Sequence, residues 1–140
     1  MKRFLRIIVT FAVVLAFCGT AYAVEAGLYA SLTLREYSAK LVKGNSAGDI
    51  RISYTVKSSK MADSIGVSSI VIYTSSGDYV KTITGSSDNG LIREDSPMHA
   101  SSYPCSLTSG NSYYAEVTVF ATVGKISDDR VVTTNIVTAP

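Results

Sequence analysis

His99 and Cys105 are the side chains of this sequence best suited to nucleophilic catalysis. The chain has one histidine and two cysteines, and the other cysteine, Cys18, lies in an apolar N-terminal stretch. A thiol needs a neighbouring base to attack as the thiolate, so a Cys–His pair is the one such arrangement available. Six residues of extended chain would hold the two side chains about 20 Å apart, unless a hairpin near Pro104 folds them together. The spacing therefore favours a loop histidine and a partly buried thiol.

Metal and phosphate sites find little support in the residue types. One histidine and one cysteine cannot supply the usual zinc ligand sets. The adjacent Asp128 and Asp129 could bind calcium with one further carboxylate, from Asp49 or Asp63, but the alternating acidic loop of a calcium site is missing. Paired aspartates before a strand are typical of a solvated turn, and no glycine-rich loop opens a helix for phosphate. We therefore predict no cofactor, no metal and no catalytic activity.

The first 23 residues have the pattern of an export signal. Three basic residues precede an apolar stretch over residues 7–17, and an Ala-Tyr-Ala motif at residues 21–23 fits a signal-peptidase site. An apolar stretch of that length is too short to cross a bilayer as a helix, which needs about 20 residues. Two alternatives are an uncleaved anchor and lipidation at Cys18, which the bulky Phe17 disfavours.

Residues 24–140 are predicted to form one secreted domain. They are numerous enough to bury a core of their own. Of the 13 basic residues, three belong to the export signal, so the domain carries a net charge of about −1 with no basic block. A nucleic-acid partner is therefore not expected, and no membrane span remains after cleavage. With Cys105 as its one cysteine, the domain has no internal disulfide and depends on its core for stability.

Strands must position these residues, because short alternating apolar runs separated by Gly, Ser, Asn and Asp fill the chain. The alternation changes phase near Arg35 and Glu36, which predicts a bulge. Residues 68–83 predict two strands joined by a turn at 75–78. The clearest strand, over residues 49–57, is expected to bury Ile50, Ile52, Tyr54 and Val56. In a closing strand, the residues predicted to face inward are Val132, Thr134 and Ile136.

Two segments are predicted not to be strands. Residues 59–65 are expected to form one short helix, because a serine before them can cap it, Met61 and Ile65 lie four residues apart, and Gly66 can end it. Residues 84–99 are expected to form a long loop with an Asn-Gly turn.

Seven or so strands with frequent turns predict an all-β fold, a two-sheet antiparallel sandwich. Leu107, Gly110 in a turn and Tyr113 opening a strand resemble the tyrosine corner of fibronectin type III and immunoglobulin-like domains. The resemblance implies a buried Tyr113 ring whose hydroxyl binds the backbone. The segment "RISYTV" resembles the second strand of a fibronectin type III domain, with Tyr54 at the usual tryptophan. The resemblance covers residues 49–137 and implies fold alone.

The full chain also resembles a group of small exported bacterial proteins whose activity is unassigned, which implies secretion.

One anomaly bears on function: apolar side chains are expected on the outer face of neighbouring strands, and aromatic clusters there favour a partner surface. The candidate binding surface consists of Val71, Tyr73, Tyr114 and Phe120. The alternatives are that residues 24–30 or the short helix cover these side chains, or that they lie too far apart.

The residue pattern therefore favours a secreted binding or interaction module that engages a protein, a second copy of itself or a surface glycan through one sheet face. The glycan is the weaker option, because the chain has no tryptophan to stack on a sugar ring. A first alternative is a structural subunit of a cell-surface assembly that donates residues 24–34 to a neighbour. A second is a small hydrolase that uses Cys105 and His99.

Overall fold

A computed structural model describes residues 33–140, and the regular structure of this part is antiparallel β-sheet. The predicted export signal, the alternative at Cys18 and the residues up to 32 lie outside the described part. Within residues 33–140, no helix is long and apolar enough to cross a membrane. The strands are β1 (Leu34–Lys43), β2 (Asp49–Thr74), β3 (Tyr79–Thr84), β4 (Ile92–Ser106), β5 (Ser112–Val123), β6 (Ile126–Thr133) and β7 (Val137–Thr138).

The 26-residue strand β2 pairs with β1, β3, β4 and β5. Its first half, residues 49–58, pairs with β1 on one side and with β4 on the other. Its second half pairs with β5 through residues 64–74, with β4 through residues 62–66 and with β3 through residues 69–73. Strand β5 in turn carries β6 and β7 on its far side. Strand β4 therefore pairs with both halves of β2, whereas β1 pairs with the first half alone and β3 and β5 pair with the second half alone.

The predicted helix over residues 59–65 is wrong, because β2 runs through this segment. The register between β2 and β4 shifts between Lys57 and Ala62, so the intervening residues bulge out of the ladder. Met61 is 62% exposed while Ile65 is fully buried, so these two side chains do not share a face. The spacing of four that suggested a helix therefore does not mark a shared buried face.

The buried side chains follow the predicted alternation along the first half of β2. Ile50, Ile52, Tyr54 and Val56 are all buried, which confirms the prediction for this strand. In the second half a further register shift occurs between Val67 and Ser69, and burial passes from odd to even positions there. Together with alternate residues of β5, both halves contribute to one apolar core. The bulge predicted in the first strand is also confirmed, between Leu34 and Glu36.

The chain between β2 and β4 agrees with the prediction in part. The predicted turn at 75–78 joins β2 to β3, and the Thr74 amide donates to the Asp78 carbonyl at 2.9 Å. The predicted loop over residues 84–99 is shorter than expected, because residues 92–99 belong to β4. Charged and polar residues in this segment suggested a loop, but β4 is an edge strand whose side chains are largely exposed.

The closing segment is divided into two strands. Thr134 is buried and Val132 is half-buried, as expected. The inward position predicted for Ile136 is wrong, since this side chain is 60% exposed and Val137 is buried in its place. The strand ends at Thr133 and resumes at Val137, which shifts the parity by one residue.

Asn135, in the gap between β6 and β7, binds the free edge of β1. Its side-chain oxygen accepts a hydrogen bond from the Leu41 amide at 3.0 Å, and its side-chain nitrogen donates to the Leu41 carbonyl at 3.2 Å. One amide side chain thus satisfies two backbone groups that a neighbouring strand would otherwise pair.

We expect Asn135→Ala to lower the free energy of unfolding by about 1–3 kcal/mol, because both Leu41 groups lose their partner in a partly buried position. Urea denaturation measures the change. Asn111→Ala, at an exposed turn position, is the control and is expected to change stability by less than about 0.5 kcal/mol. Equal effects of the two substitutions would contradict the role assigned to Asn135.

Candidate functional site

Three tyrosines on neighbouring strands form an aromatic cluster. Tyr73 of β2 is paired with Tyr114 of β5 and with Tyr79 of β3. Since directly paired residues point to the same side of a sheet, the three rings share one face. The Tyr73 and Tyr114 rings are stacked with centroids 5.3 Å apart, and the Tyr73 and Tyr79 rings meet edge to face at 6.4 Å. The cluster spans three strands.

The candidate residues predicted from the sequence are brought together in part. Val71 lies beside Tyr73 on the same face, where its register partners are Thr82 and Glu116. Phe120 is on this face too, but it is six residues from Tyr114 along β5, or about 20 Å. Of the four predicted residues, Tyr73 and Tyr114 therefore belong to the aromatic cluster and Val71 lies next to it. Phe120 lies at the other end of the sheet.

Tyr79 was missed by the sequence reasoning, although it is the most exposed ring of the cluster, at 63%. The sequence signal that could have identified Tyr79 is the four-residue turn at 75–78, because a hairpin with this turn places Tyr79 opposite Tyr73. We call the outward side chains of β3, of residues 69–73 of β2, of β5 and of β6 the tyrosine face.

The tyrosine face is acidic. Glu116 and Asp129 point outward from β5 and β6, and in the part of the chain that the structure describes no lysine or arginine occupies an outward position on these strands. The pKa of the Tyr73 hydroxyl lies above its ordinary value, first because surrounding atoms shield it from water and then because the Glu116 carboxylate is near. The hydroxyl therefore stays protonated, and able to donate a hydrogen bond, to a higher pH than that of a free tyrosine. Rings and carboxylates arranged in this way suit a cationic partner surface.

The structure keeps His99 and Cys105 apart. The register of β4 against β2 is continuous from Met98 to Ser106, so the chain between His99 and Cys105 is fully extended, over about 20 Å. Cys105 is buried, and His99 Nε2 lies 2.8 Å from the Gly90 carbonyl oxygen and 3.0 Å from the Tyr54 hydroxyl. The histidine thus anchors the loop before β4.

The acidic residues considered for calcium are also separated. Asp128 pairs with Arg130 at 2.7 Å, whereas Asp129 points to the opposite side of β6. Asp63 accepts a hydrogen bond from the Gly124 amide at 2.6 Å. Between residues 33 and 140, no group of three or more His, Cys, Asp or Glu side chains is placed to hold a metal ion.

Tyr113 opens β5 at the corner that the sequence singled out. Its side chain is 3% exposed, and its hydroxyl donates to the Thr108 carbonyl at 3.3 Å. Gly110 forms the turn with a φ of +84°, and Leu107 packs against the core. The buried hydroxyl thus has a backbone partner five residues upstream.

Tyr113→Phe is expected to lower the free energy of unfolding by about 0.5–1.5 kcal/mol, because the Thr108 carbonyl loses a hydrogen bond while the ring stays packed. Thermal or urea denaturation measures it. Tyr37→Phe, on the exposed part of β1, provides a matched loss of a hydroxyl and is expected to stay within about 0.5 kcal/mol of the wild type. An unchanged free energy of unfolding in Tyr113→Phe would show that the hydroxyl does not stabilise the corner.

Comparison with known proteins gives no relative from which a function can be transferred: no protein-family model matches the chain, and no curated protein or solved structure is significantly similar to it.

Proposed function

We propose that this chain is an exported β-sandwich domain that binds a protein partner through the tyrosine face and has no catalytic activity of its own. The observation that carries the proposal is the cluster of Tyr73, Tyr79 and Tyr114 on three adjacent strands. Export rests on the signal pattern of residues 1–23.

A two-layer architecture of the fibronectin type III or immunoglobulin-like type is part of the proposal. It is supported by β2, which pairs with β1 in its first half and with β5 in its second, and by β1, which approaches β5, β6 and β7 without belonging to their ladders. The side-chain bonds from Asn135 to Leu41 join the same two regions. The buried Tyr113 and its bond to Thr108 match the corner that such domains have.

A protein partner fits the tyrosine face better than a glycan does. Tyrosine is enriched at protein interfaces because it offers a large contact area, a hydroxyl and few rotatable bonds. The Tyr79 ring is already exposed, so little rearrangement is needed for contact. A sugar-binding face would be expected to carry tryptophan, which is absent from the chain.

Site-specific photo-crosslinking tests the proposal. A benzophenone side chain in place of Tyr79 is expected to form covalent adducts with protein in the fluid into which the chain is exported. The same group in place of Ile136, which is equally exposed but outside the tyrosine face, is the control and is expected to form none. Adducts formed equally from both positions, or from neither, would contradict the proposal that the tyrosine face binds a partner. Adducts that resist protease but are removed by glycan-cleaving enzymes would show that the partner is a glycan and not a protein.

A further inference from the structure

A second exposed face lies on the first half of β2. We call the outward side chains of β1, of residues 51–57 of β2 and of residues 98–104 of β4 the basic face. The Lys57 ammonium pairs with the Glu36 carboxylate at 2.8 Å. Lys40 and Arg51 also point outward, and no carboxylate among residues 33–140 lies within ion-pair distance of either. This face therefore presents two unneutralised cations.

Small side chains make the middle of the basic face concave. Ser38 and Lys40 of β1 lie opposite Thr55 and Ser53 of β2. Together with Ala39 and Tyr54, these residues line a shallow groove of about 240 Å³ over the two paired strands. The lining of the groove thus includes one lysine and several hydroxyl groups.

The basic face and the tyrosine face are complementary in charge. One carries Lys40 and Arg51, and the other carries Glu116 next to Tyr73, with the exposed ring of Tyr79 on the neighbouring strand. A cation over a tyrosine ring is attracted by the ring's negative face, and an opposite charge at the same contact adds to that attraction. Because the two faces lie on different halves of β2, they cannot bind each other within one chain.

We propose that the partner of the tyrosine face is a second copy of this chain, with the tyrosine face of one copy docked on the basic face of the next. This inference rests on the proposed function, since it requires the tyrosine face to be a binding surface. A contact between two different surfaces is heterologous, so each copy keeps one free face and the assembly grows head to tail into a ring or a filament.

Charge reversal on each face tests the inference by sedimentation velocity of the purified protein. The wild-type protein is expected to form species larger than a dimer as its concentration rises, and to dissociate at high salt. Glu116→Lys and Arg51→Glu are each expected to be monomeric alone, because each variant has one disabled face. Asp88→Lys, in the exposed loop between β3 and β4, makes the same charge change off both faces and is expected to assemble like the wild type.

Mixing the two single variants gives the sharpest result. One variant retains an intact basic face and the other an intact tyrosine face, and the two altered faces carry charges opposite to each other, so an equimolar mixture is expected to assemble again beyond a dimer. A wild-type protein that stays monomeric, or variants that each assemble alone, would overturn the inference. The photo-crosslinking experiment at Tyr79 separates this inference from the proposed function. If the chain stays monomeric and Tyr79 crosslinks to a different protein, the second copy is excluded as the partner, but the tyrosine face remains a binding surface. If Tyr79 forms no crosslink at all, both proposals are contradicted.

Discussion

Gly66→Ala is expected to destabilise the domain strongly, through both steric overlap and backbone strain. Gly66 pairs with Ile92 of β4 and Phe120 of β5, where β2 has neighbours on both sides. A β-carbon at Gly66 would overlap the Leu91 carbonyl oxygen, which also accepts the Val67 amide at 2.9 Å. The φ of +148° adds backbone strain for any residue with a side chain.

The expected loss in the free energy of unfolding is about 3–5 kcal/mol, from the combined cost of overpacking and of the strained backbone. Urea denaturation measures it. Gly124→Ala is the matched control, because Gly124 has a φ of +60° but no heavy atom near its missing β-carbon. The control is expected to lose about 1–2 kcal/mol for the left-handed conformation alone. Equal losses at Gly66 and Gly124 would show that β2 and β4 do not approach each other as the structure describes.

Tyr79→Ala is expected to have the largest effect on binding. The side chain is mostly exposed, so its removal leaves the core intact, yet it removes the ring that protrudes most from the tyrosine face. Buried aromatic anchors at interfaces typically contribute about 2 kcal/mol or more, which corresponds to a loss in affinity of about 30-fold. Sedimentation equilibrium measures this on the self-association that we propose, with the urea midpoint as the check on folding.

Phe120→Ala is the control for the extent of the contact. Phe120 lies on the same face but about 20 Å from Tyr114 along β5. We expect its removal to weaken association by less than about threefold, as for residues outside an interface centre. A larger effect at Phe120 than at Tyr79 would move the binding surface to the other end of the sheet.

The local pattern of apolar and polar residues was sufficient to predict burial where a strand has one solvent-exposed face and one buried face. Residues 49–57 alternate without interruption, and one slip would bury Arg51 and Lys57, so their burial could be predicted from the sequence. The bulge near Glu36 was visible for the same reason, because a change of phase has few other physical causes.

The segments that were wrongly predicted owe their structure to hydrogen bonds with residues distant in the sequence. The segment from Ser58 to Gly66 contains a cap, an apolar spacing of four and a glycine, yet pairing with β4 and β5 holds it extended. In the same way, the bonds of Asn135 to β1 interrupt the last strand and expose Ile136. The cluster of Tyr73 and Tyr114 followed from the expected strand neighbours, whereas Tyr79 required the exact hairpin register.

The central claim is that Tyr73, Tyr79 and Tyr114 form the surface at which this domain binds its partner. Hydroxyl-radical footprinting measures it most directly, by comparing side-chain oxidation in the free chain and in its complex with the crosslinked partner, a second copy or another protein. The account predicts slower oxidation of all three tyrosines on binding, and an unchanged rate at Met61, which is as exposed as Tyr79 but lies on the bulge of β2. Protection of Met61 with unchanged tyrosines would contradict it.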